Sequence, residues 1–328
     1  GQDGYLKNIL YPDKGEGWGV DDAYGYRTGR KITSTQGKQI DEVHTYIGYY
    51  NHWAIWHNSG VKGIVTEALQ SLRPAYLYTG EAKYGRTGAI LIDRIADVYP
   101  DFDLSPYFGK FYNSHGGGGE GKILGRIWET GLARHLVYSY DAFYPAMDDP
   151  YVVNFLNQKA EKYNLPNKKE TAKDIRENGA NGILRTIFDA AKKAQIYGNF
   201  GMHQSAVANA AIVHDTMPET AEWIDWVYQD GKYSVGKCTG GNVNAQLVDL
   251  VNRDAMGNEA APGYNIGWLT NITQIAEAMY GYDKYPAADL YQHPKVKKMF
   301  TTFLDLTLVG RNTVAIGDSG STASTGLS

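Results

Sequence analysis

The sequence predicts an all-α protein, an (α/α) toroid or incomplete barrel of about six helical hairpins. Three observations lead there. Helical periodicity recurs along most of the chain, and strand signals are scarce. Three segments share one plan: AYLYTGEAKY (75–84), LVYSYDAFY (136–144) and EAMYGYDKY (277–285). Each closes a helix in Tyr-x-Tyr, turns through small or acidic residues, and meets another aromatic before a second helix. Helix–turn–helix units that recur bury their faces on their neighbours and stack. Diverged repeats and long connections favour a ring over a straight superhelical solenoid.

In chain order, residues 1–40 are rich in Gly and Tyr and read as an irregular segment packed on the toroid. Periodicity then predicts helices over 41–57, 61–79, 82–98, 122–139, 149–163 and 169–177, followed by 181–196, 203–214, 219–229, 243–252, 265–280 and 294–308. The catalytic toroid so defined covers 41–310. Clusters of Gly, Pro and Asn place turns at 105–121 and 237–242. The Ser/Thr/Gly-rich stretch GDSGSTASTGLS (317–328) makes 311–328 a linker or tail.

Composition narrows the function. A net charge of −4 supplies no basic field for nucleic acid. No apolar run is long enough to cross a membrane as a helix. One cysteine, Cys238, rules out an internal disulfide and argues against a thiolate metal site. Against 9 Phe stand 26 Tyr and 7 Trp, aromatics whose polar tips suit wet clefts and sugar faces as well as cores.

Four stretches carry candidate chemistry. In GNFGMHQSAVANAAIVHD (198–215), His203 and His214 are eleven residues apart, so they share a helix face but lie about 16 Å apart along it. One metal cannot hold both. At a helix start, His203 is disfavoured as an imidazolium, and a neutral imidazole can act as a general base. Asn199 can donate to a carboxylate. The alternative is a satisfied helix-start histidine beside a turn asparagine. His214, followed by Asp215, reads as a cap.

In RDAMGNEAAPGYNIGW (253–268), Glu259 and Tyr264 sit on a loop braced by Gly and Pro. Tyr264 either presents its hydroxyl to a cleft or packs beneath the loop. In HGGGGEGKILGRIWETGLARH (115–135), Arg126 and Glu129 either pair along one helix face or Arg126 grips a substrate carboxylate. In YIGYYNHWAIWHNSG (46–60), Trp53 with His52, His57 and Asn58 suits sugar subsites, or an aromatic core stripe. Asp141, Glu129 and Glu259 are the carboxylates that an inverting glycoside hydrolase would draw on.

Together YNHWAIW, residues 75–101, GKILGRIWET, NFGMHQSA, NEAAPGYN and the closing AIGDSGS resemble, in order and spacing, the heparinase II/III-like polysaccharide lyases, a group that includes bacterial alginate lyases. The resemblance implies cleavage of an anionic, uronate-containing polysaccharide by β-elimination, with alginate the first choice and a glycosaminoglycan of the heparan sulfate type the second. It implies catalytic roles for Asn199, His203 and Tyr264, and no required cofactor or metal. It also implies a secreted or periplasmic bacterial protein with a β-sandwich domain downstream in the same parent chain. A hydrolase on the same toroid and a non-catalytic glycan-binding scaffold are the rival readings.

Overall fold

The computed structural model describes residues 26–33, 39–44, 64–103, 121–123, 125–162, 164–259, 261–308 and 312–317. It is mostly helical, as expected. The described residues divide into two compact units. One holds those up to Gly125 together with 138–183, and the other holds 126–137 together with those from Leu184 onward.

The first unit opens with an antiparallel hairpin, β1 (Tyr26–Thr33) and β2 (Gln39–His44), in which Ile32 is opposite Ile40. This corrects two expectations: 26–33 is not irregular, and 41–44 is strand rather than the start of a helix. Ile32, Thr33, Ile40 and Val43 are β-branched, which favours extended backbone over helix. The rest of the expected helix over 41–57 lies outside the described residues.

Two helices follow, α1 (Ile64–Thr79) and α2 (Ala82–Val98), packed on one another. Gly80, at φ 67°, ends α1 by donating its N–H to Tyr76 O at 2.8 Å, a left-handed cap that glycine adopts without strain. Along α2, Gly85, Gly88, Ala89, Ile92, Ile95 and Ala96 form the buried face. A Cβ at Gly88 would strike the Phe143 ring, so glycine there sets how closely the neighbour packs.

Next come α3 (Arg126–Phe143), α4 (Pro150–Lys162) and α5 (Ala172–Gly179). Asp149 starts α4 by accepting from Tyr151 N–H at 2.8 Å, and it also pairs with Arg86 at 2.7 Å. A reciprocal capping box between Thr171 and Asp174 starts α5. From α5 the chain runs through a π-helical turn, 180–185, without a break into α6 (Thr186–Lys192). Gly182 in that turn has no room for a Cβ, which would strike the Ala96 carbonyl.

Beneath this packing lies a buried ionic cluster. Lys169, 2% exposed, places Nζ 3.1 Å from Asp97 Oδ1 and 3.8 Å from Asp93 Oδ1. The amide of Asn178 donates to Asp93 Oδ1 at 2.8 Å and to Asp97 Oδ1 at 3.0 Å. Burial pushes the Asp93 carboxyl up to about 7, against the opposing pull of Lys169.

The second unit is built round α7 (Met202–His214), against which pack α6, α8 (Glu219–Tyr228) and α10 (Pro262–Met279). Its alanines explain themselves there: Ala206, Ala208, Ala210 and Ala211 are all buried, so small side chains let neighbours approach on several sides. A short hairpin, β3 (Tyr233–Ser234) with β4 (Lys237–Cys238), precedes α9 (Val243–Asp249). After α11 (Pro294–Thr302), β5 (Thr307–Leu308) pairs with β6 (Asn312–Thr313), so 312–313 fold back rather than trail as tail.

Candidate functional site

The GNFG turn is what places His203. Gly201 sits at φ 81°, and a Cβ there would lie 2.6 Å from the Asn271 side chain on α10. The turn is held from three sides. Asn271 Nδ2 donates to Phe200 O at 3.3 Å, and the Phe200 ring meets Trp268 edge-on at 5.1 Å. From α3, Arg134 Nη1 reaches Met202 O at 3.2 Å and Ser205 Oγ at 2.9 Å.

The imidazole of His203 is 2% exposed and stacks on Tyr197, with ring centroids 4.5 Å apart. Trp226 closes another side, its ring centroid 6.2 Å away. Tyr197 in turn stacks on Tyr233 at 4.3 Å, and the Arg126 guanidinium lies 5.5 Å from the first ring and 4.8 Å from the second. Burial drives the His203 pKa down to about 3, so the ring is neutral at pH 7. Its Nδ1 accepts from Gly198 N–H at 3.4 Å. That bond assigns the ring proton to Nε2, which makes His203 a hydrogen-bond donor at its other nitrogen.

The other expected site residues scatter in exposure. Asn199 is exposed in the turn. Tyr264 stands in the first turn of α10 at 41% exposure, one turn before Trp268, so its helix is the one that braces the GNFG turn. Glu259 is half-buried in the loop before α10, where its backbone O accepts from Asn265 Nδ2 at 2.6 Å. Glu129, one turn after Arg126, is 0% exposed, which removes it from any open cleft. Asp141 belongs to the first unit, whereas Glu129 and Glu259 belong to the second. His52, Trp53, His57 and Asn58 lie outside the described residues.

His214 is structural, but not through Asp215. It stacks on Trp223 at 4.8 Å, and its Nε2 lies 2.9 Å from Glu219 Oε2. Glu219 also takes Arg185 Nε at 2.9 Å, and that pairing, with His214 second, pulls its carboxyl down to about 2. Asp215 adopts φ 44° and turns its carboxylate to Lys284, 2.6 Å away, and to Tyr282 at 2.7 Å. Cys238 is buried, and burial raises its thiol pKa, so it behaves as an inert packed side chain.

Sequence reasoning missed Tyr197 and Tyr233. A signal for the first was its place directly before GNFG; the second carried none, since its partner is 36 residues away. Among the described residues no group of three or more His, Cys, Asp or Glu could hold a metal ion. Among the same residues no helix is long and apolar enough to cross a membrane. No protein-family model, no curated protein and no solved structure matches the chain.

Proposed function

We propose that this protein is a polysaccharide lyase that cleaves a uronate-containing polysaccharide, alginate first, by β-elimination on an (α/α) toroid. One observation carries the reading. A neutral imidazole with a protonated Nε2 sits behind a Tyr–Tyr–Arg wall, on a turn braced by the helix that bears a half-open tyrosine.

A uronate resists loss of its C5 proton while its carboxylate stays fully charged. Asn199 and the Nε2–H of His203 donate to that carboxylate, and Arg126 supplies positive charge, so the enolate-like intermediate is stabilised. Tyr264, acting as the base, takes the C5 proton. The electron pair left behind forms the C4–C5 double bond as the C4–O bond breaks. The departing glycosidic oxygen then takes the proton from Tyr264. Because His203 is 2% exposed, this chemistry requires the Tyr197–Tyr233 stack to part from it when polymer binds.

The test is to incubate the protein with alginate, with heparan sulfate and with a neutral glucan. Ultraviolet-absorbing, unsaturated ends from alginate support the proposal. New reducing ends without that absorbance indicate a hydrolase, and an unchanged polymer across the panel indicates a non-catalytic binder.

A further inference from the structure

The first unit holds a cavity of about 380 Å³ lined by Arg73, Leu77 and Tyr78 of α1 and by Tyr138 and Asp141 of α3. That volume falls within the usual range of small-molecule sites. Its composition is not that of an ordinary surface dip. Tyr78 is 90% exposed and Leu77 67% exposed, although the same unit buries Tyr99 and Phe143 completely. The left-handed turn at Gly80 ends α1 just past them, so the helix itself does not continue over the aromatic rim. Arg73 lies 5.8 Å from the centroid of the Tyr138 ring, and Asp141 is one turn further along α3.

We propose that this cavity is a sugar subsite that seats one pyranose ring of a glycan chain, built wholly from the first unit. Each wall matches one feature of such a ring. Tyrosine faces stack on its C–H surface. The Asp141 carboxylate accepts from vicinal hydroxyls, and the planar Arg73 fork donates to a ring oxygen or a uronate carboxylate. One cation beside one carboxylate does not suit a polyphosphate, which needs clustered donors. Partial burial lowers the Arg73 pKa and raises that of Asp141. That the chain bound here is a uronate polymer rests on the lyase reading; that the site takes sugar does not.

The experiment uses the full chain carrying Tyr264→Phe, so that polymer is not consumed, and titrates it with alginate oligosaccharides and with a neutral oligoglucan by calorimetry. Adding Tyr78→Ala, at an exposed position, weakens binding about fivefold with an unchanged melting temperature. Asp141→Asn weakens it in the same direction. If the Tyr264→Phe chain binds neither sugar, or if Tyr78→Ala leaves the affinity unchanged, the subsite is wrong. Concentration-dependent self-association that Tyr78→Ala abolishes also overturns it, because the occupant is then a second copy of the chain. If Tyr78→Ala weakens sugar binding while the unsubstituted chain cleaves nothing, the subsite stands and the lyase reading falls.

Discussion

Each of the two units buries titratable groups, and they do so by opposite means. In the first, Lys169 pairs with Asp97 at 3.1 Å and lies 3.8 Å from Asp93, with Asn178 donating to both carboxyl groups, so the buried cation keeps a charged partner. In the second, Tyr197, Trp226 and the Gly198 amide surround His203, and it stays neutral. Desolvation drives both shifts, up for the acid and down for the base. A paired cluster suits a fixed structural joint, because removing one member strands the others. A neutral imidazole needs no charged partner to stay buried.

The largest expected effect comes from breaking the paired side. Lys169→Met leaves buried Asp93 and half-buried Asp97 without their cation and destabilises the protein by about 3–5 kcal/mol in urea unfolding. A loss below ~1 kcal/mol would show that the cluster is wetter than its burial implies.

The pH dependence sharpens the contrast, because the two groups act with opposite sign. The folded pKa of Asp93 is raised, so its contribution to stability is greatest at low pH and is lost as pH climbs from about 4 through about 7. The folded pKa of His203 is depressed, so its contribution is full above the usual histidine value of ~6.5 and is lost as pH falls toward about 3. Between about pH 4.5 and 6 each group changes the slope of stability against pH by about 1.4 kcal/mol per unit, in opposite directions. Asp93→Asn therefore makes that slope more positive, and His203→Gln makes it more negative. Urea midpoints across that interval read both, and shifts of the same sign would end the comparison.

A smaller effect probes the neutral side alone. Tyr197→Ala opens the stacked face of His203 to water and moves its pKa back toward 6.5, read by the imidazole proton shifts in NMR. An unmoved titration would assign the shift to Trp226 and the helix interior instead.

Much of the helical plan was legible in the sequence. Helices over 64–79, 82–98, 150–162, 202–214 and 219–228 fall within a few residues of those expected; 82–98 buries one face and so carries a 3.6-residue signal, whereas 202–214 is buried on several sides and is marked by its run of small helix-forming residues. The N-terminal hairpin was missed because its β-branched residues alternate poorly and the sequence STQGK between its strands carries no strong hairpin signal. The ionic cluster was illegible for a different reason: Lys169 and Asp97 are 72 residues apart, and nothing local marks their meeting. At the candidate site, the positions of His203 and Tyr264 on helix starts were readable from the flanking Gly and Pro. The stack on Tyr197 and Tyr233 and the depth of His203 were not, since both depend on packing from other elements. His214 shows the limit of neighbour-based reading, for its adjacent Asp215 turns away and Glu219 takes its place.

The central functional claim is met most directly by following ultraviolet absorbance of alginate with the unsubstituted chain and with Tyr264→Phe, at equal folded concentration. The lyase reading predicts a steady rise for the first and a loss of at least about a hundredfold for the second, with unfolding midpoints that coincide. Equal rates from the two chains, or no rise from either, would contradict it.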